Sequence, residues 1–154
     1  MEETKKNYSC HSKIEHGEHV FTAHTGNISE KNRVISEIFE EGRYVSTRQI
    51  DYDIREENKQ SEIRYDFLSE KAREFHLDVA DETEALFSIS DKIRERKSAE
   101  SHYQLGVILL NKNFLVEAEQ HFKMAIQKRP ELIRAHFGLA IIKLRDRKPD
   151  AAVK

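Results

Sequence analysis

SAESHYQLGVILLNKNFLVEAEQHFKMAIQKRP, running from Ser98 to Pro130, is the stretch that decides the fold. Moved along the chain by 34 residues, it matches the remaining C-terminal sequence. His102 matches His136, Leu105 matches Leu139, and small Gly106 matches small Ala140. Ile108 matches Ile142, Leu110 matches Leu144, and Ala118 matches Ala152. Six like-for-like pairs at one offset are hard to obtain by chance, and the period is that of a stacked helix–turn–helix unit. Ser98 is placed to cap the first helix.

Within this period the sequence resembles the tetratricopeptide repeat (TPR) family. That family places Leu-Gly in a first helix, Ala-x3-Phe-x2-Ala in a second and Pro at the junction. Here these read Leu105-Gly106, Ala118-x3-Phe122-x2-Ala125 and Pro130. Gly106 and Ala118 let the two helices approach closely, and a larger side chain there overpacks the contact by about 1–3 kcal/mol. Phe122 and Ala125 face the next unit, and Pro130 ends one helix while pre-setting φ for the next. Asn113 stands at the usual turn glycine and can also take positive φ. His102 and His136 replace the family's first-helix aromatic, with Tyr103 and Phe137 one position later.

The resemblance implies a protein-binding role through the concave or exposed helix faces. The candidate partner-binding residues are His102, Val107, Leu110, His136, Phe137, Ile141 and Leu144. Relatives that grip the acidic tails of heat-shock chaperones want Asn where this chain has Val107 and Ile141, so an apolar or helical ligand fits better. The second unit stops a few residues into its second helix, leaving the apolar face of Ile133 to Leu144 without its usual cover. Self-assembly into a homo-oligomer is the expected use of that face.

Working back from Ser98, residues 57–97 read as a helical cap or degenerate repeat, with Ala72 and Glu84 at the positions of Gly106 and Ala118. A break over Leu77 to Asp81 divides it into two helices, the second capped by Asp81 with Glu84. Residues 18–56 read as a three-stranded antiparallel β-meander, with Gly42 supplying positive φ in a three-residue hairpin loop. This β part resembles small modules that precede TPR units in bacterial proteins of unassigned role. Residues 1–17 read as a flexible polar tail. The fold class is therefore α+β, mainly α: a small meander followed by antiparallel helix pairs of TPR type.

Composition narrows the partners. Twenty-six basic residues against 28 acidic give no single-sign field, so neither nucleic acid nor an anionic membrane is expected. No apolar run is long enough to span a bilayer, and the single cysteine, Cys10, fits a reducing cytoplasm. Cys10, His11, His16, His19 and His24 are the only cluster with metal-ligand chemistry, but no standard zinc spacing is present. Runs such as Lys92–Lys97 and Lys143–Lys148 read as solvated helix faces. No phosphate loop, nucleophile elbow or metalloprotease helix occurs. The expectation is a non-catalytic scaffold or interaction protein, without cofactor or metal, that binds another protein or a copy of itself. The alternative is an accessory subunit or assembly factor of a larger enzyme complex, contacting it through the β module.

Overall fold

The computed structural model describes residues 8–28, 31–54 and 61–147. Four strands precede four helices: β1 (Ser9–His16), β2 (His19–Ile28), β3 (Arg33–Glu40), β4 (Arg43–Asp51), α1 (Ser61–Arg94), α2 (Ala99–Asn111), α3 (Leu115–Lys128) and α4 (Ile133–Arg147). Of the described residues 58% are helical and 26% are strand, which makes the class α+β, mainly α. The chain divides into two compact units, Met1–Ala85 and Leu86–Lys154.

In the first unit the strands form an antiparallel meander in the order β1-β2-β3-β4. Two-residue turns join β1 to β2 and β3 to β4. Gly17 carries φ +61°, and Glu41 and Gly42 carry +49° and +80°. The β3–β4 turn has positive φ at both central residues and the β1–β2 turn at its first, the two patterns whose twist matches a tight hairpin. The loop at Gly42 is thus one residue shorter than the sequence pattern implies.

Cross-strand pairing places Ile14, Phe21, Ala23, Thr25, Val34, Ser36, Ile38 and Ser46 on one buried face. The α1 positions Leu68, Ala72, His76, Val79 and Thr83 supply the rest of this core at helical spacing. A bulge after Ile38 pairs Phe39 with Tyr44 and moves Tyr44 to the open face, where it is 58% exposed.

Two sequence expectations are corrected. The stretch read as a tail contains β1, whose only buried apolar residue is Ile14, too little to mark a strand by composition. The expected break at Leu77–Asp81 is absent, because α1 runs unbroken from Ser61 to Arg94. The apolar stripe looks interrupted only because His76 and Thr83 occupy core positions. Each has a hydrogen-bond partner there: His76 bonds Ser12 and Thr25, and Thr83 Oγ1 donates to the Val79 carbonyl at 2.7 Å. Asp81 is therefore inside a helix rather than capping one.

The second unit begins with the last turns of α1. Phe87 meets Phe114 edge to face at 5.3 Å, so this end of the cap belongs to the helical unit. Ser98 caps α2, its Oγ accepting from the Ser101 amide at 3.2 Å. Asn113 takes φ +65° and turns the chain into α3. Leu105, Leu109, Phe114, Ala118, Phe122, Ala125, Ala135 and Ile142 form the core.

Candidate interaction surface and buried polar cluster

Two of the repeat-packing residues, Gly106 and Phe122, meet directly. Phe122 of α3 is fully buried, and a Cβ added at Gly106 of α2 would stand 2.7 Å from it. Leu105, Ala118 and Ala125 are buried in the same core, while Pro130 lies exposed in the α3–α4 connection. Gly138 of α4, which the repeat pattern did not single out, lies against the same ring.

The matched histidines share a local geometry. His102 Nε2 donates to the Arg96 carbonyl at 3.0 Å, and His136 Nε2 donates to the Pro130 carbonyl at 2.9 Å, each six residues back. Arg96 and Pro130 are themselves 34 residues apart, as are the first residues of α2 and α4, Ala99 and Ile133. Both imidazoles therefore brace the bend that leads into a helix.

Their surroundings differ. His102 is 0% exposed and Leu110 is buried, so neither can present itself to a partner; the expectation for these two is corrected by the cover that the neighbouring helices provide. Val107 is half-buried, and His136 is exposed.

The other proposed contact residues lie on α4. That helix is anchored to α2 near both ends. Arg134 pairs with Glu100 at 3.0 Å and lies over the Tyr103 ring, and Arg145 donates to the Leu110 carbonyl at 3.0 Å. Ala135, Gly138 and Ile142 face inward. The opposite side carries Ile133, Phe137, Ile141 and Leu144, exposed by 67%, 65%, 41% and 61%. Spacings of four, four and three residues make them one stripe along the helix.

A buried polar cluster lies where the end of α1 meets α2 and α3, and sequence reasoning does not assemble it. His102 Nδ1 and His121 Nδ1 are 3.1 Å apart, and His121 Nε2 lies 2.7 Å from Ser90 Oγ. Ser90 Oγ donates to Glu117 Oε1 at 2.6 Å, and Arg94 pairs with the same carboxylate. Burial first, then Arg94 and His102, push His121 down to about 4 against the pull of Glu117. Ser90 and His121 are 0% exposed and Glu117 is 4% exposed, so no substrate reaches the hydroxyl in this arrangement. The available sequence signal is that Glu117 and His121 stand one turn apart beside Ala118 and Phe122, on the core side of α3.

The Cys10–His24 cluster is spread over both sides of the sheet. His11 and His24 are cross-strand partners on the open face, with ring centroids 4.4 Å apart. A row of rings continues from His24 to Phe39 at 5.2 Å and from Phe39 to Tyr44 at 6.0 Å. Cys10 shares the opposite face with Thr25, and His19 Nδ1 lies 2.7 Å from Glu40. Among the described residues no group of three or more His, Cys, Asp or Glu side chains could hold a metal. None of the described helices is long and apolar enough to cross a membrane. No protein-family model, curated protein or solved structure matches this chain.

Proposed function

We propose that the chain is a cytoplasmic, non-enzymatic interaction module of TPR type whose α4 docks a helix, either of another protein or of a second copy. The observation that carries this reading is the stripe Ile133, Phe137, Ile141 and Leu144, exposed along one helix. Contiguous apolar surface of this kind is a recurrent mark of protein contact. The internal repeat suggests the shape of the occupant. His136, Ala140 and Leu144 of α4 correspond to His102, Gly106 and Leu110 of α2, which are buried in the packing of the second unit. An amphipathic helix patterned like α3, with small residues flanking an aromatic, suits such a face.

Sedimentation velocity on the full chain over a wide concentration range tests the self-assembly form. A concentration-dependent dimer or larger species is expected. A monomer at every concentration removes self-assembly, and failure of α3-patterned helical peptides to bind that monomer removes the docking reading altogether.

A second reading, an accessory subunit that contacts its complex through the β module, draws on the open-face row His11, His24, Phe39 and Tyr44. Substituting Phe39 and Tyr44 by serine separates the two. Loss of partner capture by that variant, with the α4 stripe intact, favours the β module.

A further inference from the structure

The apolar stripe of α4 is bordered by a distinct chemistry. At about 100° per residue, Ile133, Leu144, Phe137 and Ile141 cover an arc of about 80°. Arg134 and Arg145 follow directly beyond the Ile141 border, and His136 and Lys143 lie beyond the Ile133 border, past small Ala140. The only carboxylate of α4, Asp146, falls about 180° from the centre of the stripe. Basic side chains therefore line both borders.

These groups are unequally matched within the chain. Glu100 holds Arg134 at 3.0 Å. Arg145 donates to the uncharged Leu110 carbonyl, and neither it nor exposed Lys143 meets a carboxylate among the described residues. Two unit charges beside the stripe thus lack an ionic partner there.

A second copy does not supply one along the stripe. In an antiparallel α4 pair each border meets its own counterpart, which brings Arg145 to the other copy's Arg134 and Lys143 to its His136. In a parallel pair the two borders exchange, and basic groups face each other again. Glu100 is no remedy, since Arg134 already engages it.

We propose that α4 docks an acidic amphipathic helix of a different protein. This rests on the reading of α4 as a docking helix and names its occupant. The stripe from Ile133 to Leu144 runs for about 17 Å, about three turns. A helix with apolar anchors at three- and four-residue spacing covers it. Asp or Glu beside those anchors then meets Lys143 and Arg145. Charges at the rim of an interface act on partner choice and on-rate, so acidity selects among the helices that the stripe alone accepts.

Fluorescence anisotropy with two labelled helical peptides, titrated with the full chain, tests the proposal. The peptides share their apolar positions and carry either Glu or Lys at the flanking ones. The Glu peptide is expected to bind about tenfold tighter or more, with the gap closing as salt is added. Lys143→Glu, a change at an exposed position, should narrow that gap by about fivefold. Phe137→Ser should weaken the Glu peptide by about thirtyfold. Equal binding of the two peptides, or preference for Lys, overturns the acidic occupant and leaves the docking reading standing. A Glu preference that survives Phe137→Ser unchanged overturns the proposal, because the peptide then sits elsewhere. So does a dimer that the Glu peptide does not disperse in sedimentation, which makes a second copy the occupant. Binding of neither peptide removes the docking reading and this proposal with it.

Discussion

Phe122 and Gly138 are in direct contact: a Cβ built on Gly138 would stand 2.5 Å from Phe122 Cζ. Gly106 approaches the same ring, where a Cβ would stand 2.7 Å from Cε1. The ring is fully buried and has no flexible end that could swing aside. Two opposing effects therefore meet in Gly138→Ala. Alanine favours the helix over glycine by about 1 kcal/mol, while overpacking a rigid core contact costs about 1–3 kcal/mol. Overpacking wins at this separation, and denaturant titration is expected to show a net loss of up to about 2 kcal/mol. In a Phe122→Leu background the same substitution should turn neutral or stabilising. Equal losses in both backgrounds would show that the ring is not what the glycine accommodates.

That contact also shows where sequence reading stops. The repeat offset draws attention to Ala140 as the partner of Gly106, yet Gly138 does the close packing and Ala140 is exposed. A glycine inside a helix is unfavourable, and Gly138 on that ground alone signals a close neighbour. The helix pair, the Asn113 turn and the hairpin at Gly42 are legible because backbone geometry and apolar spacing agree there. Strand β1 and the continuity of α1 are not, since Cys10, Ser12, His76 and Thr83 fill positions that a hydrophobic pattern leaves blank. For the site, the sequence marks the α4 stripe but treats His102 as groove-lining. Only the cover provided by the neighbouring helices reverses that reading.

The β3–β4 turn offers a stabilising substitution. Glu41 holds φ +49°, a region costly to residues with a Cβ, beside Gly42, which takes it freely. Its side chain is exposed, so the cost falls on the backbone. Glu41→Asn creates the Asn-Gly pair that suits this turn and is expected to add about 0.5–1 kcal/mol. A chemical denaturation midpoint that does not rise would show that Glu41 makes a compensating contact.

His76 makes the first unit acid-sensitive. Burial, then the nearby His11 and His24, hold its value below 6.5. The unfolded chain consequently binds more protons once the pH falls below 6.5. Stability is complete above that value and is lost as the pH drops toward the lower folded value. Exchange protection of the Thr25 and Ser36 amides is expected to fall between pH 7 and pH 5. His76→Phe should flatten that dependence while costing about 1–3 kcal/mol at neutral pH, because Ser12 and Thr25 lose their shared ring partner. A dependence that persists unchanged in the variant would place the titrating group elsewhere.

Phe137 is the sharpest test of the α4 stripe. It is 65% exposed and stands one turn from both Ile133 and Ile141, so removing it takes little from the core. Phe137→Ser is expected to change unfolding stability of the free chain by no more than about 1 kcal/mol, the range for a surface change plus a modest loss of helix propensity. Any complex that buries the ring should instead lose about 2 kcal/mol or more, as aromatic anchors at the centre of an interface do. Sedimentation and thermal unfolding on the same samples keep the two effects apart. Weaker association with unchanged unfolding assigns the stripe to partner contact. Unchanged association removes Phe137 from the interface, and a large drop in stability would show that the ring packs within its own chain.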